Sequence, residues 1–232
     1  MTNDLPLYAI EPPVRPSLPI VGTAVVFPVN RVFCIGRNYA AHAVEMGHDP
    51  DKEAPFFFLK SATCLTSDGV FPYPSMSNDV HFEVEMTVAL ARGGSNIDAG
   101  TALDHVFGYG VGLDMTRRDL QGAAKKAGRP WEVGKSFERS GPCGPLTSVS
   151  EIGHPSSGAI TLDVNGQQRQ SGDLNQMIWK TPEIIAVLSQ YFELQAGDVI
   201  MTGTPSGVGP IQRGDTMLAS IKGVGRIEVD VI

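Results

Sequence analysis

The stretch Val80–Met86 (VHFEVEM) constrains the fold most, because it combines a strand-like pattern with two acidic side chains. In an extended chain successive side chains point to opposite faces, so Glu83 and Glu85 share one face while apolar side chains share the other. The residues that follow, TVALA (87–91), are mostly apolar, which predicts a strand that enters the interior. Two adjacent carboxylates in such a place repel each other and lose hydration. The stretch therefore predicts a cation site on a buried strand.

Glycine and proline are abundant, with 26 and 17 residues, which predicts many short elements joined by turns. Helices are expected at 38–46, 117–127 and 181–192. Strands are expected at 23–27, 31–35, 55–60, 82–91, 106–113, 159–165, 167–170, 198–202, 216–222 and 226–231, with Asn165-Gly166 as a hairpin turn. Because strands dominate and do not alternate with helices, we predict an α+β fold that is mainly β, with packed mixed sheets.

The 232-residue chain is long enough for one large core, and we expect a single compact domain at 31–232. Residues 1–30 are rich in proline and are expected to form an N-terminal arm. A net charge of −7, without a Lys/Arg cluster among aromatics, argues against a nucleic-acid partner. The sequence contains no signal-like start and no membrane-spanning apolar run, so we expect a cytoplasmic protein without a membrane partner. Three cysteines without metal-type spacing argue against a disulfide framework or a zinc cage.

Three carboxylates could hold a hard divalent cation. Mg²⁺ and Mn²⁺ prefer oxygen ligands and usually keep coordinated waters, so two or three carboxylates form a plausible catalytic site. Glu83 and Glu85 supply two, and Asp114 is a candidate third because it ends the apolar run VFGYGVGL before a polar helix. The alternatives are an exposed edge strand for the two glutamates and a helix N-cap for Asp114.

Further candidates come from a presumed helix and two isolated lysines. His42 and Glu45 are three residues apart and would share a helix face, where a carboxylate can orient an imidazole as general base. A solvated surface pair is the alternative. Lys60 and Lys135 follow or lie within apolar stretches, where an unpaired ammonium is costly, so each requires a buried counter-ion.

Motifs of other enzyme classes are missing from the sequence. It contains no Gly-x-Ser-x-Gly elbow, no HExxH and no P-loop, and Gly108-Tyr-Gly-Val-Gly lacks the third glycine of a dinucleotide fingerprint. Serine hydrolase, zinc protease, kinase and nicotinamide-enzyme functions therefore lose support.

The glycine-rich run 201–209 could let backbone approach a ligand closely, although turns are the commoner use of such glycines.

Several ordered stretches resemble the fumarylacetoacetate hydrolase superfamily, in its short acylpyruvate hydrolase branch that includes fumarylpyruvate hydrolases. They are IGRNYAAHAVEMG, FFLKSAT, HFEVEMTVAL, GYGVGLDMTRRDLQ, PWEVGKSFERSGP and DVIMTGTPSGVGP, and the resemblance covers roughly residues 30–232. It implies a mixed β-sandwich roll with few helices, commonly a homodimer. By the same resemblance Glu83, Glu85 and Asp114 would hold Mg²⁺ or Mn²⁺.

The resemblance also implies a role for each remaining candidate. His42 with Glu45 would form a base dyad on a mobile lid at 43–53, and Lys135 would be a third catalytic group. Arg118, Gln121, Thr204 and Lys60 would contact the substrate. The implied reaction is metal-dependent hydrolysis of the C–C bond of an acylpyruvate, with fumarylpyruvate cleaved to fumarate and pyruvate in gentisate degradation. Oxaloacetate decarboxylation and diketo-acid isomerisation on the same scaffold are the alternatives, and a non-catalytic β module with a structural ion is an alternative of another class.

Overall fold

The computed structural model describes residues 8–45 and 55–232, except the side chains of 43–45. In chain order the strands are β1 (Ser17–Pro19), β2 (Val26–Pro28), β3 (Val32–Gly36), β4 (Phe56–Lys60), β5 (Leu65–Thr66), β6 (Val70–Phe71), β7 (Val80–Phe82), β8 (Val84–Leu90), β9 (Val106–Leu113), β10 (Thr116–Arg117), β11 (Gly141–Pro142), β12 (Thr147–Ser148), β13 (Ala159–Val164), β14 (Gln167–Asp173), β15 (Val199–Met201), β16 (Gly209–Pro210), β17 (Thr216–Ile221) and β18 (Gly225–Val231). The α-helices are α1 (Ala40–Glu45), α2 (Arg118–Lys126), α3 (Glu132–Lys135), α4 (Val149–Ile152) and α5 (Thr181–Tyr191), and 3₁₀ turns lie at Ala62–Cys64, Ala102–His105 and Leu174–Gln176.

The larger sheet has six strands in the order β12-β9-β8-β15-β3-β4. Strand β8 lies inside it, antiparallel to β9 and β15, and every residue of β8 is buried. Its predominantly apolar sequence suits this position, because both faces of an interior strand are covered. Gly112 pairs with Glu85, and a Cβ at Gly112 would come within 2.7 Å of Thr87 Oγ1. The absence of a side chain there lets the neighbouring strands pack closely beside Glu85.

The second sheet has five strands in the order β14-β13-β17-β18-β6. The predicted hairpin turn is confirmed: Asn165 and Gly166 connect β13 to β14 and both have positive φ, 51° and 76°. Such values suit the two-residue turns that match the twist of a hairpin. Apolar side chains of the two sheets share one core cluster, which includes Val88 and Val111 from the first sheet and Leu162 from the second.

The helices are few and short, as predicted. Helix α5 buries Ile184, Ile185 and Leu188 against the core, whereas α2 is polar and covers the site described below. The predicted helix at 38–46 corresponds to α1, and residue 46 lies outside the described residues. Within the described part of the chain, no helix is both long and apolar enough to cross a bilayer. The fold is thus mainly β with parallel and antiparallel strand pairs, which confirms the predicted class.

The N-terminal segment packs on the larger sheet. Strands β1 and β2 form an antiparallel pair, and Leu18, Phe27 and Val29 are buried in a second apolar cluster that includes Leu146. The strand predicted at 23–27 is therefore observed as Val26–Pro28. Residues 1–7 of the predicted arm lie outside the described residues.

Candidate metal centre and active site

The chain changes sheets at Glu83. Strand β7, before it, pairs with β10 and β16 in a small three-stranded sheet, whereas β8, after it, belongs to the six-stranded sheet. Asp114 follows β9 directly, and its N–H donates to the Glu83 carbonyl at 2.9 Å. The three predicted metal ligands therefore come from the adjoining ends of two antiparallel strands.

Neither alternative for these acids holds, neither the exposed edge strand nor the helix N-cap. Glu83, Glu85 and Asp114 are 5%, 2% and 1% exposed, and β8 is not an edge strand. Asp114 does not cap α2 either, because that helix begins at Arg118 with Arg117 as its N-cap residue.

The three carboxylates fit a hard divalent cation. One oxygen of each lies within 4.8 Å of the others. Glu85 accepts a hydrogen bond from Gly203 N at 2.7 Å. Asp114 Oδ1 accepts no hydrogen bond from the described residues, and its contact with Lys60 Nζ, 2.8 Å away, is an ion pair. These buried anionic oxygens can therefore still bind a cation. Carboxylate oxygens are the ligands that Mg²⁺ and Mn²⁺ prefer.

Lys135 lies against two of these acids. Its ammonium donates to Glu83 Oε2 at 2.8 Å, to Asp114 Oδ2 at 2.8 Å and to Thr116 Oγ1 at 2.6 Å. These three bonds use all three ammonium protons. The short helix α3, which the sequence did not predict, places Lys135 here. The counter-ions that the burial of Lys135 requires are thus two of the candidate metal ligands, Glu83 and Asp114.

Lys60 occupies the far side of Asp114. Its ammonium ion-pairs with Asp114 Oδ1 and donates to the Met115 carbonyl at 3.3 Å, to Ser140 Oγ at 3.1 Å and to the Lys135 carbonyl. With these partners it is 2% exposed and does not contribute to the cavity wall. Lys60 thus supports Asp114 from behind, and its predicted contact with the substrate remains a prediction.

Helix α2 supplies the polar groups above Glu83. Arg118 donates to Glu83 Oε1 at 2.5 Å and to Gln121 Oε1 at 2.8 Å. Gln121 is one turn further along the helix and is 5% exposed. The guanidinium thus fixes the amide orientation of Gln121 and leaves the amide N–H groups of Gln121 for other acceptors.

The two glutamates differ in charge environment. Burial raises the pKa of Glu83, but Lys135 and Arg118 outweigh it and lower the pKa well below its usual range. Burial, followed by Asp114 and Glu83, raises the pKa of Glu85 well above its usual range. Burial lowers the pKa of Lys135, and the neighbouring Asp114 and Glu83 more than restore it, so the net shift is upward. Glu85 is therefore the carboxylate that most lacks a cation.

The glycine-rich run delivers backbone and hydroxyl groups to the same place. Gly203 has φ +95°, and a Cβ there would come within 2.7 Å of Asn38 Cβ. The Asn38 amide donates to the Thr202 carbonyl at 2.8 Å and thereby holds this turn. Thr204 follows, 2% exposed, at the cavity wall. The run thus serves close backbone approach to Glu85 as well as a turn.

His42 lies on α1 across the cavity and is 6% exposed, so the alternative of a solvated surface histidine is wrong. Glu45 ends the same helix, but its side chain is outside the described part, as are residues 46–53 of the predicted lid. The predicted dyad and lid remain predictions.

One cavity brings the predicted groups together. It encloses about 460 Å³, including space open to solvent, and it is lined by every predicted site residue whose side chain is described, except Lys60. Its outer wall contains residues that the sequence analysis did not identify: Arg37, Phe56, Phe58, Lys125 and Trp131. Two stretches of the sequence could have indicated this aromatic wall: the run FFF before Lys60 and the stretch Trp-Glu-Val-Gly-Lys. No local pattern indicates that these two stretches contact each other. In the structure Phe56 and Trp131 stack edge to face at 4.9 Å.

Comparison with known proteins identifies the family. A family model described as fumarylacetoacetate (FAA) hydrolase C-terminal matches residues 31–232. The crystal structure of fumarylpyruvate hydrolase from Pseudomonas aeruginosa in complex with Mn²⁺ and pyruvate superposes with a TM-score of 0.95 at 47% identity, covering 97% of this chain and 99% of that chain.

Relatives with two different activities are about equally similar. Fumarylpyruvate hydrolase of Ralstonia sp. is 40% identical over 189 residues, which are 80% of this chain and 98% of the relative. Oxaloacetate tautomerase YcgM of Escherichia coli (strain K12) is 42% identical over 208 residues, which are 87% of this chain and 93% of the relative. Sequence identity alone therefore does not choose between the two reactions.

Proposed function

The chain belongs to the fumarylacetoacetate hydrolase family, and we propose that it hydrolyses the C–C bond of an acylpyruvate, with fumarylpyruvate cleaved to fumarate and pyruvate. The observation that carries this proposal is the buried cluster of Glu83, Glu85 and Asp114 opening on the cavity that His42 also lines. The choice of fumarylpyruvate is supported by the 47% identical relative whose structure holds Mn²⁺ and pyruvate. Gentisate degradation, the cytoplasm and a homodimer are the setting we expect.

Glu83, Glu85 and Asp114 would hold a Mg²⁺ or Mn²⁺, which would polarise the α-keto-acid end of the substrate and stabilise the charge of the departing enolate. The protein balances the charge of its own ligands with an equal number of cations, Lys60, Lys135 and Arg118. A dication and a dianionic diketo acid would therefore add no net charge to the buried site, which limits the desolvation cost of binding.

The polar side chains at the cavity wall suit the carboxylate and keto oxygens of an α-keto acid. Gln121 has amide N–H groups available, and Thr204 has a hydroxyl at the wall. Arg37 and Lys125 bring positive charge to the outer part of the cavity, next to Phe56 and Trp131. A fumaryl group has a flat apolar middle and a terminal carboxylate, which matches apolar walls flanked by cations.

His42 is the candidate general base. It would accept a proton from the water that attacks the 4-keto carbon, a step that is typically worth roughly 10²–10⁴-fold in rate. Glu45 would hold the imidazole in the required tautomer from the same helix. Lys135 would fix Glu83 and Asp114 rather than hold the oxyanion from the outset, because all three of its protons are donated to protein oxygens.

Conversion of oxaloacetate, by tautomerisation or decarboxylation, is a second candidate. The 42% identical Escherichia coli relative supports it, and oxaloacetate also has two carboxylates for the cations of the cavity. Neither reaction needs an attacking water. Loss of His42 should therefore impair hydrolysis of fumarylpyruvate more than decarboxylation of oxaloacetate.

A substrate panel tests these proposals. Metal-free protein is assayed with fumarylpyruvate, maleylpyruvate, acetylpyruvate and oxaloacetate at equal concentration, with Mg²⁺, with Mn²⁺ and with chelator. We expect the highest kcat/KM for fumarylpyruvate, with fumarate and pyruvate formed in equal amounts and no turnover in chelator. A preference for oxaloacetate would replace the first proposal with the second. No metal-dependent turnover of any of these compounds would favour a non-catalytic module.

Two variants test the site within that panel. Glu83→Gln should abolish metal-dependent turnover with the fold intact, because it removes one anionic ligand from the cluster. Glu138→Gln is the matched control, since Glu138 is exposed and is not one of the three clustered carboxylates. Full activity of Glu83→Gln would refute the metal assignment.

A further inference from the structure

Gln170 is a buried amide on an otherwise exposed strand. The first three residues of β14 are exposed, whereas Gln170 is 0% exposed. The pairing of β13 with β14 shifts register between Leu162 and Asp163, so that Arg169 is the extra residue. This bulge turns the side chain of Gln170 toward the six-stranded sheet, where it meets both the carboxylate strand and the glycine-rich run.

The hydrogen bonds of Gln170 fix which way its amide points. Val84 N, which lies between the two glutamates, donates to Gln170 Oε1 at 2.9 Å. Gln170 Nε2 donates to the Pro205 carbonyl and to Thr204 Oγ1, both at 2.8 Å. A backbone N–H can only donate and a backbone carbonyl can only accept, so the reversed amide would place two donors together and two acceptors together.

This orientation determines the role of the Thr204 hydroxyl. Because the Gln170 N–H donates, Thr204 Oγ1 is the acceptor in that bond, and its own proton is left for another partner. No acceptor for this proton is recorded among the residues that the structure describes, and Thr204 lies at the cavity wall. The hydroxyl therefore has a donor to offer to the cavity.

We propose that Gln170 is a positioning residue that sets the hydrogen-bond polarity of Thr204, so that the hydroxyl donates to a carboxylate or keto oxygen of the ligand. This inference rests on the proposed function, since the ligand is an α-keto acid. It also explains why an amide is present: a carboxylate at this position has no N–H for Thr204 and would draw the hydroxyl proton away from the cavity.

A double-mutant cycle tests the coupling. Binding of pyruvate is measured by calorimetry in excess MnCl₂ for the wild type, Thr204→Val, Gln170→Met and the double variant. We expect each single variant to raise Kd about tenfold, which is about 1.4 kcal/mol. The double variant should also be about tenfold weaker rather than a hundredfold, because Gln170 acts on pyruvate through Thr204. Thr204→Ser retains the hydroxyl and should bind within about threefold of the wild type, because the hydrogen bond to the ligand is kept.

Further variants separate positioning from loss of stability. Ser189→Ala removes a buried hydroxyl whose bonds go to the backbone of Ala186 and Ile97, away from the site, and should leave the Kd unchanged. If Gln170→Met does not fold, Gln170→Glu replaces it, and its effect should likewise vanish in the Thr204→Val background. Additive losses in the cycle would refute the role of Gln170. Pyruvate binding with the expected cycle but no turnover of any acylpyruvate would refute the proposed function and leave this inference intact.

Discussion

Replacing Glu85 with glutamine should stabilise the metal-free protein while removing its capacity for metal. Glu85 is 2% exposed and lies within 4.8 Å of two other carboxylate oxygens. Lys60, Lys135 and Arg118 form ion pairs with Asp114 and Glu83, whereas no lysine or arginine of the described residues pairs with Glu85. A glutamine keeps an oxygen for the Gly203 N–H and gains an N–H that can donate to a neighbouring carboxylate.

The magnitude follows from the separation of the charges. At an effective dielectric constant of about 20, two unit charges at this distance repel by about 3.5 kcal/mol. Attraction to Lys135 offsets part of this repulsion, and proton uptake by the wild-type carboxylate offsets more of it. We therefore expect Glu85→Gln to raise the free energy of unfolding by about 1–2 kcal/mol, which is about 2–8 °C in Tm for a chain of this size.

The pH dependence of stability provides a second test of the sign of the change in unfolding free energy. Because the pKa of Glu85 is raised in the folded state, the folded protein binds a proton that the unfolded chain has released above about pH 4.3. This contribution makes the wild type less stable as pH rises through the folded pKa. The glutamine variant lacks this titration, so its stability advantage should grow as pH rises above about 4.3, the pKa of an unfolded glutamate.

Thermal unfolding in chelator and in Mg²⁺ measures both parts of the prediction. In chelator Glu85→Gln should melt above the wild type, and Glu138→Gln should melt with the wild type. A saturating ligand of the folded state, at about 100 times Kd, adds about 2.7 kcal/mol, so Mg²⁺ should reverse the order. A metal-free variant that melts below the wild type would refute the view that Glu85 is the carboxylate without an ion-pair partner among the described residues.

Three further perturbations have defined outcomes. Lys60→Met should lower the free energy of unfolding by about 3–5 kcal/mol in urea titrations, because it leaves the buried Asp114 without one of its cations. Gly203→Ala should cost about 1–3 kcal/mol in the same assay and weaken Mn²⁺ binding, because of its positive φ and the close approach of Asn38. Burial raises the pKa of the Cys34 thiol and that of Cys143, the latter to about 12, so both should react with a disulfide reagent at pH 8 only after unfolding.

Local patterns were sufficient for much of the fold. The Asn165-Gly166 turn was predictable because two residues with positive φ favour a particular dipeptide. The burial of β8 was predictable because the residues after Glu85 are mostly apolar, as expected for a strand that enters the interior. That Glu83 and Glu85 belong to a cation site also followed from the sequence, since paired acids on such a strand require compensation.

The assignments of single side chains needed the tertiary structure. Lys135 and Glu83 are 52 residues apart in the chain, and their contact depends on the change of sheets at Glu83 and on the short helix α3. Lys60 had the same local signature as Lys135, yet it lies behind Asp114 and away from the cavity.

Gln170 illustrates the division most clearly, because its strand reads as exposed and only a bulge turns the side chain inward. The sequence by itself determined which segments become strands and that acidic groups must be neutralised, since periodicity and charge act locally along the chain. Which cation meets which carboxylate, and which amide sets the direction of a hydroxyl, was decided by packing between strands that are distant in sequence. Hydrogen bonds and ion pairs depend on ångström-scale distances that no local pattern encodes.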